Sequence, residues 1–495
     1  MERAFTEGFP RSLCDEGGAC SEGEAWGESG ACSESGVCSE GGAWGEGGLS
    51  LRVLILSSWY PNTPNPVKGV FVREQARALR ACGLEVGVVY PFDEEIPAGV
   101  VRRADEEGIV TWRANSLGGP LNSRQPFRRR WARLSSYHSA LKLLRQAAGQ
   151  FQPDILHAHV AYPAGILAYF FTRGRELPYV VTEHMSYLRD YTAKWQHRIL
   201  LKAAFEKARL VIPVSPALAG QIESLGWNLN LRVLPNVVDT ARFTPNGGRG
   251  AGEGSGRRGT DAEQDGVNPG HRGTDAEQGG AGSERRGTDP RQDEAAPGQD
   301  GADREGGTKE GIEGLRPLRL LFVGGMDETE VKGLQFLLPA LARFARERRF
   351  RLELIGDGSM RKHYEVRARE LGIEGSCRFR GVLPPQKMPE RYREADFLVL
   401  SSLKETFGCV LIEAMASGLP VLATACGGPE SLVTGETGLL VKPGSSEALL
   451  DGMREMARKL PEYEPAVLRA YADAHFGPKA LARELKGIYR DALVR

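Results

Sequence analysis

The sequence predicts an α/β protein with two successive domains, each built on a parallel β-sheet. Residues 51–58 (LRVLILSS) are a continuous apolar run of the kind that is buried on both faces of a parallel sheet. A Pro- and Asn-rich loop, a helical pattern (VFVREQARALRACG) and a second apolar strand (LEVGVVYP) follow in that order. This order makes half of a Rossmann-type fold. It begins again at residues 318–325 (LRLLFVGG), and 495 residues fit two or three domains.

Two low-complexity segments set the predicted domain boundaries. Residues 1–50 repeat a Cys- or Trp-initiated unit every six residues, and residues 246–316 repeat an RRGTDAEQ-like unit every 14 residues. Their Gly, Ser and charged content buries too little apolar surface to offset chain entropy, so we expect disorder in the first and a flexible linker in the second. The folded parts are then residues 51–245 and 317–475, followed by a C-terminal helix in 476–495.

Charge and cysteine usage narrow the class of partner and compartment. The formal net charge is zero, but residues 51–245 hold 25 Lys and Arg against 15 Asp and Glu, which favours anionic partners. The cysteines outside the first repeat lack metal or disulfide spacing, as in a reducing compartment. No apolar stretch approaches the roughly 20 residues of a membrane span, and the acidic N-terminus is unlike a signal peptide. We therefore expect a cytoplasmic protein without a nucleic-acid partner.

The basic segment at residues 124–145 (RQPFRRRWARLSSYHSALKLLR) is a loop that leads into an amphipathic helix. Its arginines surround Phe127 and Trp131, so the segment could lie on an anionic membrane surface. A solvated helix face is the other interpretation. The membrane interpretation predicts that the protein attaches peripherally to the inner membrane face.

Residues 404–423 (KETFGCVLIEAMASGLPVLA) carry the most informative pattern of the chain. They predict a loop, a helix of about three turns, a left-handed end at Gly418 and, after Pro420, a buried strand. The free amides of Gly408, Cys409 and Val410 would form an anion site at the helix start. Two carboxylates flank this site, those of Glu405 and Glu413. Taken singly, each carboxylate could equally be an ordinary solvated charge.

This stretch resembles the E-x7-E signature of the family 4 retaining glycosyltransferases, which have the GT-B fold of two facing Rossmann-like domains. The resemblance implies that Glu405 contacts the transferred sugar and that Glu413 contacts the nucleotide ribose. It also implies that the backbone at Phe407, Gly408 and Cys409 contacts sugar and phosphate. In that fold the C-terminal helix crosses back to the first domain.

The first domain resembles the family members that build cell-surface polysaccharides, through SSWYPNTPNPVKGVFVREQARAL. There the loop glycine, here Gly69, approaches the donor phosphate; a glycine kept only for a tight turn is the alternative. In HAHVAYPAG the resemblance selects His159 as a sugar contact and leaves His157 as a packed strand residue. An H-x-H metal pair is a further alternative.

Three more residues are implied by the family resemblance. Glu183 and His184, at the end of a strand, would face the acceptor cleft, although structural capping explains a polar pair equally well. Lys332 would neutralise the donor phosphates. The family usually has an arginine where Gly325 stands, and this arginine and the lysine form a cationic clamp on the diphosphate. Here glycine replaces the arginine of that clamp. No D-x-D motif occurs, and we expect neither a metal nor a cofactor apart from the donor substrate.

The resemblance implies transfer of a sugar from a nucleotide diphosphate sugar to a hydroxyl of a glycan or lipid-linked acceptor, in cell-surface polysaccharide or glycolipid synthesis. Two alternatives remain open. An epimerase or hydrolase of the same fold would release nucleotide without an acceptor. A non-catalytic nucleotide-sugar-binding protein would bind the donor without turning it over.

Overall fold

Two separate β-sheets, one in each half of the chain, organise the fold. The computed structural model describes residues 50–116, 126–185, 188–245 and 316–494, without the side chains of residues 126–134. Apart from a residue at one edge of each, the predicted repeat and linker segments therefore lie outside the described residues. So do most of the side chains on which the membrane hypothesis for residues 124–145 rests.

The first sheet has seven strands, of which all but one pair run parallel. Its strands are β1 (Arg52–Ser57), β2 (Glu85–Tyr90), β3 (Val101–Glu106), β4 (Ile109–Ala114), β5 (Ile155–His159), β6 (Tyr179–Glu183) and β7 (Val211–Pro213). Their spatial order is β3-β4-β2-β1-β5-β6-β7. Its helices are α1 (Val70–Ala81), α2 (Pro126–Phe151), α3 (Ile166–Thr172), α4 (Leu188–Thr192), α5 (Trp195–Glu206) and α6 (Pro216–Glu223). This is the doubly wound arrangement that the strand–helix–strand pattern predicts.

The second sheet has six strands, all parallel. Its strands are β8 (Leu318–Val323), β9 (Phe350–Ile355), β10 (Cys377–Gly381), β11 (Phe397–Leu400), β12 (Val421–Thr424) and β13 (Gly438–Val441). Their order is β10-β9-β8-β11-β12-β13. The helices of this half are α7 (Leu334–Phe344), α8 (Arg361–Glu370), α9 (Met388–Glu394), α10 (Cys409–Ala416), α11 (Ser446–Lys459), α12 (Pro465–Phe476) and α13 (Pro478–Val494).

The C-terminal helix returns to the first sheet. Apolar side chains of α13, among them Leu485, Ile488 and Tyr489, are fully or almost fully buried in one cluster with Val53 and Ile55 of β1. The chain leaves the first domain after Val238 and returns to it after Phe476. These two segments lie side by side, and the Val238 amide donates to the Phe476 carbonyl at 2.9 Å. The predicted two-domain architecture with a returning helix is confirmed.

One element of the first sheet is missing from the sequence-based prediction. Strands β3 and β4 form an antiparallel hairpin at the sheet edge, with Arg103 opposite Trp112. Most of β3 is exposed and carries charged residues, so it lacks the apolar run that reveals a buried strand. Pairing with β4 supplies the stability that its own side chains do not.

Candidate functional site

The most informative stretch folds as a loop and helix at the carboxyl end of β11. Helix α10 covers Cys409–Ala416, so the predicted start is confirmed, but its eight residues make only about two turns. The predicted left-handed end at Gly418 is confirmed: its φ is 72° and its amide donates to the Met415 carbonyl. The fully buried β12 follows, as predicted.

The start of α10 offers free backbone donors. Gly408 precedes the helix with a φ of 101°, a conformation that favours glycine, and its carbonyl accepts from the Leu411 amide. Within the described residues, the amides of Gly408, Cys409 and Val410 donate to no protein acceptor. Together with the positive end of the helix dipole they can bind an anion.

Lys332 and Glu405 form an ion pair beside this helix start. Lys332 Nζ lies 2.6 Å from Glu405 Oε1, and the Ser402 hydroxyl donates to the same oxygen at 2.7 Å. The pair is partly exposed, with 29% of the lysine side chain and 12% of the glutamate side chain accessible. It can therefore exchange partners with a ligand.

Two loops bring Lys332 to this position. The Leu403 amide donates to the Val331 carbonyl at 2.7 Å, and the Ser401 hydroxyl donates to the Lys332 carbonyl at 2.8 Å. Gly333 allows this approach: its φ is 72°, and a Cβ there would lie 1.9 Å from the Ser401 carbonyl oxygen. The contacts join the loop after β8 to the loop after β11.

Phe407 contributes its backbone rather than its ring. The ring is buried and packs edge-on against Phe476 with centroids 6.2 Å apart. Gly428 lies directly against the Phe407 backbone, where a Cβ would be 2.4 Å from the carbonyl oxygen, and its amide donates to the Glu405 carbonyl at 2.9 Å. The loop at 426–428 thus fixes the backbone between the two carboxylates.

Glu413 is held by a tyrosine that the sequence did not suggest. The Tyr392 hydroxyl of α9 donates to Glu413 Oε2 at 2.6 Å. Burial raises the pKa of Glu413 to about 7, against the lowering effects of the Tyr392 hydrogen bond and of Arg242. Tyr392 thus engages one carboxylate oxygen, and no described residue donates a hydrogen bond to the other, which can accept one from a hydroxyl ligand.

Gly325 leaves room for a side chain. Its φ lies outside the left-handed region, and the nearest atom to an added Cβ is Asp327 Oδ2 at 3.7 Å. The missing arginine of the predicted clamp is therefore not excluded by the backbone or by crowding.

In the first domain, three histidines form a buried cluster at the ends of β5 and β6. His159 Nδ1 lies 3.1 Å from His184 Nε2, and His159 Nε2 lies 3.2 Å from the Gln75 amide. His157 contacts the Thr182 hydroxyl and the Tyr489 hydroxyl, each at 2.7 Å. Burial lowers the pKa of His157 and of His184 to about 3, so both rings stay neutral at physiological pH.

The two histidines of the HAH motif, His157 and His159, have different hydrogen-bond partners. His157 is packed in the strand, as predicted, and contacts Tyr489 of α13. His159 is also fully buried, with both ring nitrogens engaged, and burial lowers its pKa too. Its contact with a sugar stays a prediction. His184 stacks on Phe71 with centroids 4.2 Å apart, and its Nδ1 has no partner within the described residues.

Glu183 has an internal role that the acceptor-cleft prediction did not include. Its buried carboxylate accepts hydrogen bonds from the amides of Ala161, His184 and Met185 at 2.8–2.9 Å. These bonds hold the turn after His159, where Val160 has a φ of 70° that is strained for a β-branched residue. Glu183 thus has a capping role in this structure, and its contact with an acceptor stays a prediction.

Gly69 is a steric requirement of the first loop. Its φ is 64°, and a Cβ would lie 2.2 Å from the Trp59 carbonyl oxygen. It precedes α1, whose start faces the same sheet edge as His159. The phosphate contact stays a prediction, whereas the need for glycine follows from the close approach.

The two halves meet at the start of α10. The Asn236 amide of the first domain lies 3.5 Å from Cys409 Sγ. Burial raises the pKa of the Cys409 thiol to about 12, so it is neutral rather than nucleophilic. Arg242 of the first domain pairs with Glu74 of α1 at 3.4 Å, and its charge lowers the pKa of Glu413 in the second. The candidate site thus lies beside the domain junction.

Two Rossmann-like domains with a returning C-terminal helix, and a polar site beside their junction, define the GT-B class. Two family models match the chain, one in each domain: "Glycosyltransferase Family 4" over residues 69–242 and "Glycosyl transferases group 1" over residues 317–459. The chain belongs to the family 4 glycosyltransferases.

The relatives differ in how much of the chain they match. A D-inositol 3-phosphate glycosyltransferase of Corynebacterium aurimucosum is 36% identical over 35% of this chain and 42% of its own length. The chain therefore matches less than half of that relative. TuaC of Bacillus subtilis, named for teichuronic acid biosynthesis, is 24% identical over 81% of this chain and 88% of its own length.

Solved structures share the fold at low sequence identity. Sucrose-phosphate synthase from Thermosynechococcus elongatus has a TM-score of 0.63 and 19% identity, covering 90% of this chain and 99% of that one. Anabaena HepE, solved with UDP, has a TM-score of 0.57 and 17% identity, covering 89% of this chain and 100% of that one.

Among the described residues, no helix has the length and apolar character needed to cross a membrane.

Proposed function

We propose that this protein transfers a sugar, with retention of configuration, from a nucleotide diphosphate sugar to an acceptor hydroxyl. The observation that carries the proposal is the arrangement around the start of α10. A lysine, a glutamate and free helix amides lie together there, and a second glutamate with one free oxygen lies on the same helix. These are the groups that a sugar, a diphosphate and a ribose require.

Each group has a distinct task in donor binding. Lys332 and the amides of Gly408, Cys409 and Val410 bind the diphosphate. Glu405 accepts hydrogen bonds from sugar hydroxyls after Lys332 turns toward the phosphate. Glu413, oriented by Tyr392, accepts from the ribose.

Charge stabilisation on the leaving group drives the transfer. As the bond between the anomeric carbon and the phosphate oxygen breaks, negative charge grows on the diphosphate, where Lys332 and the helix amides stabilise it. The acceptor oxygen attacks from the same face, and its proton passes to the departing phosphate. The protein supplies no second carboxylate as a covalent nucleophile in this scheme.

The acceptor enters over the first domain, next to the histidine cluster. His184 is neutral there, and its Nδ1, which has no partner among the described residues, can hydrogen-bond to an acceptor hydroxyl. The family resemblance of the first domain and the name of TuaC favour a cell-surface polysaccharide or glycolipid as the product. One structural relative, Anabaena HepE, was solved with UDP and with UDP-glucose, which favours a UDP-sugar as the first donor to test.

A saturation-transfer NMR screen of the full chain against UDP- and GDP-sugars, without and with EDTA, tests donor use. We expect one donor to bind in both conditions and Glu413→Gln to weaken that binding. Incubation of this donor with extracted membrane glycolipids should then give a product with unchanged anomeric configuration. Nucleotide release without an acceptor would instead indicate a hydrolase or epimerase.

A donor-binding protein without turnover is the second candidate, and Gly325 favours it because it removes one cation from the expected clamp. Tight donor binding with no product from any acceptor would support it. The distinction can be made with the same protein sample, since binding and turnover are measured separately.

A further inference from the structure

Helix α5 exposes an apolar pair that the proposed reaction does not use. Trp195 is 68% exposed and Ile199 is 58% exposed. The two residues are four positions apart, so they share one face of the helix. The opposite face carries Leu201, Ala204 and Phe205, which are buried in the core. Trp195 and Ile199 therefore stand on a surface that no described residue covers.

Basic residues surround this pair. Lys194, Arg198 and Lys202 are exposed on and just before α5. Three described acidic residues lie on or near these helices: Asp190 is exposed on α4, Glu206 pairs with Lys202 at 3.5 Å, and Glu223 is exposed on α6. Arg198 lies over the Trp227 ring at 5.7 Å and donates to the Leu225 carbonyl at 3.3 Å, which orders its side chain. The surface thus combines an aromatic side chain, an aliphatic one and a positive rim.

The pair lies at the end of the first domain that carries the histidine cluster. Helices that connect parallel strands begin at the carboxyl edge of the sheet, so Trp195 at the start of α5 lies near the edge where β6 ends. Aromatic contacts tie this region to the segment after His159: Tyr162 packs on Tyr191 at 4.8 Å and on His197 at 5.0 Å. A surface bound through α5 would therefore lie near the acceptor side.

We propose that the α5 surface, defined by Lys194, Trp195, Arg198, Ile199 and Lys202, docks onto an anionic lipid surface. Tryptophan is favoured at the headgroup level of membranes, and basic residues beside it attract anionic lipids. A stable protein interface needs about 800 Å² from each partner, which two isolated apolar side chains do not supply. The α5 surface is separate from residues 124–145, and its docking does not depend on the transfer reaction.

Co-sedimentation of the full chain with lipid vesicles tests the proposal. Vesicles of phosphatidylcholine alone are compared with vesicles that also contain phosphatidylglycerol. We expect binding only to the anionic vesicles, weakened by added salt because the attraction is electrostatic. The double variant Trp195→Ser/Ile199→Ser should bind about tenfold more weakly or worse. Lys194→Glu/Lys202→Glu should also lose binding.

Val366→Ser is the matched control, because Val366 is an exposed apolar residue of α8 in the second domain. It should bind vesicles like the unchanged protein, and donor binding should stay unaltered in all variants. Equal vesicle binding by the unchanged protein and the double variant would overturn the proposal, as would no binding to anionic vesicles at all. A dimer in sedimentation analysis that the double variant abolishes would also overturn it, by assigning the surface to a second copy.

Discussion

Lys332 Nζ and Glu405 Oε1 lie 2.6 Å apart beside the start of α10. The lysine predicted to bind phosphate is thus paired with the carboxylate predicted to bind the sugar. In the proposed function a donor phosphate competes with this carboxylate for the same ammonium group. The two tasks are therefore connected in the proposal, since releasing Lys332 to the diphosphate would also free Glu405 for the sugar hydroxyls.

Replacing Glu405 by glutamine should separate donor affinity from turnover. Without the carboxylate, Lys332 is free and the anion site is less negative, so we expect a nucleoside diphosphate to bind a few-fold more tightly, roughly the effect of one partly exposed ion pair. Turnover should fall by about 100-fold, because the sugar loses a charged partner in the transition state. Calorimetry with UDP or GDP and product assays measure the two effects.

Lys332→Met is the complementary variant and should weaken binding of the same diphosphate. Lys362→Met, on the exposed side of α8, serves as the control and should change neither quantity. Weaker diphosphate binding in Glu405→Gln would contradict the competition between the two partners.

Glu413 should make the stability of the protein fall as the pH rises. Its pKa is raised from 4.5 to about 7, so the folded state favours the protonated form. The stabilisation is complete below the unfolded pKa and is lost as the pH passes through about 7. In Glu413→Gln this loss, on the order of 1–3 kcal/mol, should disappear.

Urea unfolding of both proteins at acidic and mildly alkaline pH measures the difference in the free energy of unfolding. Glu183, whose pKa is raised to about 6, also makes the free energy of unfolding fall as the pH rises. This effect is present in both proteins, so only the difference between them reports on Glu413. The same pH slope in the two proteins would show that Glu413 titrates normally.

Gly325→Arg should strengthen diphosphate binding. The backbone at Gly325 permits a side chain, and the nearest obstacle, Asp327 Oδ2 at 3.7 Å, is a carboxylate that an arginine can approach. An added guanidinium near Lys332 should lower the Kd of UDP or GDP by about tenfold. Gly325→Ala is the control for backbone effects. No change in Kd with arginine would mean that the site is complete without this clamp.

Gly69→Ala should destabilise the first domain, because both its φ of 64° and the contact with the Trp59 carbonyl exclude a Cβ. We expect a loss of about 2 kcal/mol or more in the free energy of unfolding. Gly487→Ala in α13 is the control: no atom lies within 4 Å of its added Cβ, so it should be neutral or stabilising by about 0.5–1 kcal/mol. Thermal unfolding compares the two, and equal Tm values would contradict the steric argument.

Local patterns predict those parts of the fold that local chemistry decides. The start of α10 at Cys409, the left-handed residue at Gly418 and the buried strand after Pro420 all follow from short-range rules on glycine, proline and apolar runs. The parallel sheets follow in the same way, from strands buried on both faces. Strand β3 does not, because its charged side chains carry no such signal and its pairing with β4 decides its structure.

The contacts that orient the site residues could not be predicted in this way. Tyr392 lies 21 positions before Glu413, and Tyr489 lies 332 positions after His157; no spacing rule connects such pairs. Glu183 is a similar case, because its partners are backbone amides that every residue type possesses. Motif resemblance proposes candidate ligand-binding residues, whereas the partners that orient them depend on how distant elements pack.

Tyr489→Phe should show whether the C-terminal helix positions the histidine cluster. The Tyr489 hydroxyl lies 2.7 Å from His157 Nδ1, and without it this nitrogen retains only the Gln75 amide at 3.5 Å. His157 adjoins His159 with ring centroids 4.4 Å apart, so a looser His157 ring should let His159 move. We expect a several-fold lower kcat, an unchanged KM for the donor and a loss of about 1 kcal/mol of stability. Tyr364→Phe on α8, whose hydroxyl bonds to Glu330 at 3.4 Å, is the control for losing a tyrosine hydroxyl and should leave kcat unchanged. An unaltered kcat in Tyr489→Phe, with the same loss of stability, would restrict α13 to a structural role.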